Sequence, residues 1–221
     1  MMRTSCAFRN NHGADSFCKH MKNNRLFLCV KWLSGIWLVI WIPTYSTYWG
    51  WSNFLHLCNV AVFLTCLGFL LESPLLLSSQ ALVSIFGNFL WVIEFLNTLV
   101  TGHALFGGTE YMMDEQIPIW VRCLSLYHFV LPLLLLWGLY CVGYDRGGWK
   151  LQSTITLLVL FLSRFTDSTK NINFVFHDPL FQKTWGNALM HVMVIWFGLI
   201  LIIYWPTHLV LDRVFPRPKK F

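Results

Sequence analysis

Six stretches of this chain, at about residues 26–43, 53–72, 75–101, 117–143, 150–165 and 186–211, are apolar almost throughout. The connections between them are short: "TYSTYWGW", "ESP", "GHALFGGTEYMMDEQ", "GYDRGGWK" and a loop over about 166–185. A helix needs about 20 consecutive apolar residues to cross the hydrocarbon core of a bilayer, and in lipid a helix satisfies its own backbone hydrogen bonds. With 221 residues, of which 56% are hydrophobic and only 12% charged, the chain has no room for a sizeable soluble domain beside those stretches. The expected fold is all-α, a polytopic transmembrane bundle of about six helices. The third stretch is long and holds Gly87 and Asn88, so it is expected to bend, to tilt or to split in two. The fifth is short.

The basic residues orient these stretches. A net charge of +6 would suggest nucleic acid in a soluble protein, but here the charge follows topology. Arg3, Arg9, Lys19, Lys22 and Arg25 precede the first stretch, Arg146 and Lys150 lie in the 144–150 connection, and Arg213, Arg217, Lys219 and Lys220 follow the last. Together these are eleven of the sixteen Lys and Arg. The connections on the opposite side hold Lys170 and Lys183, and "GGTEYMMDEQ" has no basic residue. Both termini are therefore expected in the cytoplasm, with residues 1–25 a disordered basic tail, 26–212 the integral domain and 213–221 a second basic tail. Met21 opens "MKNNRLFLCVKW" and is an alternative start. The first apolar stretch lacks the small-residue cleavage pattern of a signal peptide and is expected to remain as a helix. Tyr45, Tyr48, Trp49, Trp51, Tyr111, Trp149, Trp185 and Trp205 fall near helix ends, as an interfacial belt does.

The seven cysteines form no C-x-x-C pair, and at least four lie in apolar stretches, where they count as small hydrophobes. Polar and ionisable groups inside the membrane are costly and tend to mark sites; here they are Lys31, His56, Asn59, Glu94, Asn97, Arg122, His128, Arg164 and His191. Lys31 and Arg164 are near helix ends and can snorkel, and His191 is expected as a wet residue at a helix start. Glu94 and Asn97 either line the interior or make an interhelical hydrogen bond.

With both termini cytoplasmic, the second stretch enters from the outer side, which sets Cys58 about 9 Å below its start at about 1.5 Å per residue. The fourth also starts outside, with Arg122 near the surface and His128 about 16 Å down. His56 and Cys58 of "FLHLCNVAV" are turned about 200° from each other on a helix and do not pair. A nucleophilic Cys58 would take its base from another helix, and His128 in "SLYHFVLP" is the intramembrane histidine at a compatible depth. Pro132 has no N–H, so it frees the carbonyl of His128 and favours a kink there. The bland alternatives, a buried inert thiol and a hydrogen-bonded core histidine, stay open. In "STKNINFVFHDP", Asn171 and Asn173 can donate to a carbonyl or oxyanion near the surface, or cap a turn. His56, Cys58, His128 and His177 lack the spacing of metal ligands, and neither a metal nor another cofactor is expected.

"HLC" on an early helix, a His followed by Pro on a middle helix and "NINF" before the last helix resemble the transmembrane protein 164 family of membrane acyltransferases and its bacterial relatives, conserved integral membrane proteins. A more distant likeness is to the androgen-induced membrane proteins that hydrolyse fatty esters with a threonine nucleophile and a histidine. The resemblance covers about residues 51–208. It implies that Cys58 accepts the acyl group, that His128 is the base, and that Asn171 and Asn173 are the polar pair near the site. The chain departs from the pattern where Asn53-Phe54-Leu55 replaces a Pro-containing turn and Phe174 stands in place of Tyr.

The function expected is that of a lipid acyltransferase or acyl hydrolase working through a thioester, with membrane lipids as partners, in a bacterial inner membrane. His56 and Asn59 would orient the headgroup or the neighbouring helix, Arg122 would attract a phosphate, and Asn173 would help hold the oxyanion. A thiolate in hydrocarbon is costly, so the site requires a polar, partly wet cavity. The second reading is a non-enzymatic multi-pass protein, a small-solute transporter or an assembly factor. Its conduit would have to continue to the cytoplasmic side, where Glu94, Asn97 and His208 are the sparse candidates.

Overall fold

The computed structural model describes residues 25–105, 107–179 and 181–218. The expected tail 1–25 therefore lies, but for Arg25, outside the described residues, as does the end of the 213–221 tail. The fold is an all-helical polytopic bundle. α1 is Arg25–Trp49, α2 Leu57–Leu70, α3 Pro74–Thr101, α4 Ile119–Leu124, α5 Tyr127–Val142 and α6 Gly148–Ser163. α7, Ala188–Gly198, runs through a π-helical turn, Leu199–Tyr204, into α8, Trp205–Val214. Four runs among the described residues, α1, α3, α4 with α5, and α7 with α8, are long and apolar enough to cross a membrane. α2 has 14 residues and α6 has 16, about 21 and 24 Å of helix, short of a hydrocarbon core of about 30 Å.

Local chemistry sets the ends. Gly50 and Gly102 stop α1 and α3 at φ 76° and 74°, a conformation that carries no steric cost only for glycine. α3 opens on Ser73, whose hydroxyl accepts from the Leu76 N–H, with Pro74 in the first turn, where its missing N–H is not needed. The 28 residues of α3 form one uninterrupted helix through Gly87 and Asn88; at about 42 Å it is longer than the bilayer core and has to tilt. The fourth stretch is interrupted at Ser125–Leu126, ahead of His128, and Pro132 is carried inside α5.

The helices alternate in direction. One end of the bundle, here the lower end, gathers the start of α1, the α2–α3 turn, the α5–α6 connection and the end of α8. Lys31 pairs with Glu72 at 2.7 Å, the Asp145 N–H donates to Ser78 Oγ at 2.8 Å, and Arg146 grips Asp212 through two nitrogens. Residues 216–218 fold over Gly143 (φ 86°): the Tyr144 N–H donates to the Pro216 carbonyl at 2.8 Å, and a Cβ on Gly143 would lie 2.8 Å from Pro218 N. Arg25, Lys31, Arg146, Lys150, Arg213 and Arg217 therefore share the lower end. α3 climbs away from it, so Glu94 and Asn97 lie at the upper end, not on the side where a conduit through His208 would need them; Asn97 is bonded there to the His103 carbonyl at 2.7 Å.

Phe27, Phe69 and Trp137 pack together at 5.8–6.2 Å between ring centroids, and Leu77, Leu82, Leu135 and Leu139 fill the centre. The flanks are the reverse of a soluble surface: Val39, Leu133 and Ile202 stand 74, 68 and 75% exposed, side chains that only lipid can cover at this density. α3 and α6 approach closely because Gly148 faces Ser78. A Cβ there would meet Ser78 Cβ at 2.8 Å and the Ser79 backbone N at 3.0 Å, atoms that cannot swing aside. Gly148→Ala is expected to lower the melting temperature in detergent, at a cost of about 1–3 kcal/mol from overpacking. Unchanged melting would show that the two helices are free to separate.

Candidate active site at the upper end of the bundle

Because α2 is short, it begins below the upper surface of the bundle, and its first N–H groups open into protein rather than water. A 3₁₀ turn, Trp51–Leu55, and the loop from Ser168 to Phe174 close over it. Irregular backbone at this depth is tolerated only where other groups satisfy it. Asn173 does so from a left-handed conformation (φ 54°): its Oδ1 accepts the Leu57 N–H at 2.9 Å, and its Nδ2 donates to the Leu55 carbonyl at 2.6 Å and to Ser163 Oγ at 3.1 Å. Asn173 thus caps α2 from a distant part of the chain. Asn171 (φ 39°) accepts from the Phe176 N–H at 2.9 Å and donates to the His177 carbonyl at 2.7 Å, fastening its own loop.

Cys58 follows in the first turn of α2. The residue is half-buried and lies beside Tyr127; the Asn59 N–H behind it donates to the His56 carbonyl at 2.9 Å. Asn59 is buried and fully used, donating to the Asn53 carbonyl and accepting from the Tyr127 hydroxyl, both at 2.8 Å. It ties the 3₁₀ turn, α2 and α5 together. His56 precedes α2 at its N-cap and is half-buried.

His128 is sandwiched between Trp91 and Tyr127, with ring centroids at 4.3 and 4.2 Å. Its Nδ1 meets Asn88 Oδ1 at 2.6 Å. An amide oxygen only accepts, so Nδ1 carries the proton and Nε2 holds the lone pair of a base. His128 also lines a groove of about 420 Å³ between α3 and α5, walled by Phe86, Phe89, Phe129, Pro132 and Leu133. No hydrogen bond of the described residues joins Cys58 to His128. Tyr127 stands between them, its hydroxyl against the sulfur and its ring against the imidazole.

The remaining candidates serve the frame. Arg122 donates through Nη1 to the Met112 carbonyl at 2.8 Å, and its buried Nε has no partner among the described residues. Arg164 lies over the Phe176 ring at 4.2 Å. His191 is fully buried, not a wet end residue: it accepts the Trp185 N–H at Nδ1 and donates from Nε2 to the Phe174 carbonyl. Among the described residues no three His, Cys, Asp or Glu gather as metal ligands.

Sequence reasoning passed over Tyr127, Asn88, Ser125 and Tyr45 as parts of this cluster. Tyr45 turns inward from the expected belt, and its hydroxyl meets Ser125 Oγ at 2.7 Å. A tyrosine next to a histidine in "LYHF" was the available signal.

Asn173→Ala leaves the Leu57 N–H and the Leu55 carbonyl unpaired, and is expected to destabilise the protein by about 1–3 kcal/mol for each buried group, read as a lowered melting temperature.

No family model, curated protein or solved structure matches this chain, so the site is read from its own geometry and chemistry.

Proposed function

We propose that the protein is an integral membrane lipid acyltransferase or acyl hydrolase in which Cys58 carries the acyl group. One observation supports this above others: Cys58 lies in the N-terminal turn of α2, beside Tyr127. A helix N-terminus favours negative charge, and so favours both a thiolate and the oxyanion that forms when it attacks an ester. The apolar groove beside His128 suits the fatty chain of such an ester.

In this reading the thiol attacks the ester carbonyl and the C–O bond to the alcohol breaks, leaving a thioester on Cys58. The thiol proton goes to Nε2 of His128 and from there to the departing alcohol. A second alcohol or water, deprotonated by the same imidazole, then resolves the thioester. Because Tyr127 stands between sulfur and imidazole, a water bound between the two has to carry the thiol proton across. The parallels between Cys58, His128 and "NINF" and the transmembrane protein 164 family agree with this assignment. The reading places the protein in a bacterial inner membrane with both termini cytoplasmic, in keeping with the basic lower end of the bundle.

Incubation of purified protein in nanodiscs with labelled phospholipid is expected to add an acyl mass to Cys58, removable by hydroxylamine. Cys58→Ala should abolish turnover and His128→Ala should lower it about 10²–10⁴-fold, both with expression intact. Full turnover in Cys58→Ala would overturn the reading. If that variant changed nothing while solute crossed vesicles carrying the protein, a non-enzymatic role as transporter would replace it.

A further inference from the structure

Three buried residues of α3 each hold one polar atom without a hydrogen-bond partner among the described residues: Gln80 Oε1, Ser84 Oγ and Asn88 Nδ2. The side chains are 0, 2 and 1% exposed. They are spaced four residues apart, so they lie on one face of the helix. Polar residues used only to bind helices together find partners on those helices, and these three atoms do not. In hydrocarbon such atoms are costly to leave unpaired, and in proteins the usual remedy is buried water. The spacing suits it: four residues rise about 6 Å, close to two hydrogen bonds of about 2.8 Å laid end to end, the step that one bridging water spans.

Both ends of this row continue. At the top, Asn88 is bonded to His128. At the bottom, Gln80 Nε2 donates to Gln152 Oε1 at 3.3 Å, Gln152 Nε2 donates to Thr156 Oγ1 at 3.1 Å, and Thr156 Oγ1 meets the Tyr204 hydroxyl at 2.8 Å. Tyr204 closes the π-helical turn, a feature that often marks functional places in helices. From there His208 and Asp212 follow at four-residue steps to the lower end, with His208 Nδ1 bonded to the Tyr144 hydroxyl at 2.7 Å and Asp212 held by Arg146.

We propose that water molecules bound along Gln80, Ser84 and Asn88, and between Tyr204, His208 and Asp212, join these groups into one hydrogen-bonded path, exchanging with bulk water, from His128 to the lower end of the bundle at Asp212. The proposal does not depend on lipid chemistry at Cys58. Hydroxyl-radical footprinting in ¹⁸O-water, on the full chain in nanodiscs, reads it directly. His128 and Tyr204 should take up the label while Phe69, equally buried but in an apolar setting, should not. Ser84→Val should cut the labelling of His128 several-fold while Tyr204, on the lower side of the block, keeps its label, and Ser84→Thr, of the same shape as valine with a hydroxyl, should restore it; Ser84→Ala serves if the valine variant does not fold. His128 and Tyr204 labelled no more than Phe69, or His128 undiminished in Ser84→Val or Ser84→Ala, would overturn the path. Neither outcome bears on turnover in Cys58→Ala, so the two readings stand or fall separately.

Discussion

The arrangement of the upper end depends on one side-chain amide. α2 is too short to begin at the bilayer surface, so its leading N–H groups would point into a medium that cannot bond them. Asn173 supplies the acceptor for Leu57 and, through its other atom, holds the carbonyl of Leu55. With that helix start pinned, the next residue, Cys58, is fixed beneath Tyr127, and Asn59 is fixed against Asn53 and Tyr127. The left-handed backbone at Asn171, Asn173 and Phe174 is the local strain through which the loop reaches down to do this.

A bundle in lipid gains little from driving apolar side chains together, since the surrounding chains are as apolar as they are. Close packing and buried polar bonds carry more of the specificity. Both are visible here. Gly148 lets α3 and α6 touch, and the bonds among Gln80, Gln152, Thr156 and Tyr204 cross three parts of the chain at the level where they touch. The pair of His128 and Asn88 plays the same part between α3 and α5 higher up.

Much of the fold was legible. An apolar run of about twenty residues has few alternatives in structure, and the runs at about 26–43, 75–101 and 186–211 become helices Arg25–Trp49, Pro74–Thr101 and Ala188–Val214. The start of α2 at Leu57 was less legible, because "WSNFLHL" is apolar enough to extend a helix, and what ends it is a bond to Asn173, more than a hundred residues away in sequence. The polar face of α3 was not legible at all. Gln, Ser and Asn scattered in an apolar run carry no face until the neighbouring helices are known. His128 stood out because a histidine is rare in such a setting; Tyr127 beside it did not, because tyrosine is ordinary near a membrane surface.

The strap of residues 216–218 over Gly143 has a consequence for biogenesis. A Cβ at Gly143 would collide with backbone there, and the Tyr144 N–H takes its acceptor from Pro216. The connection between α5 and α6 therefore acquires its final partner from a segment translated some seventy residues later. Insertion can place α1 to α6 one after another, but the base of the bundle stays unlatched until α8 has been threaded and its trailing prolines have swung back across the hairpin.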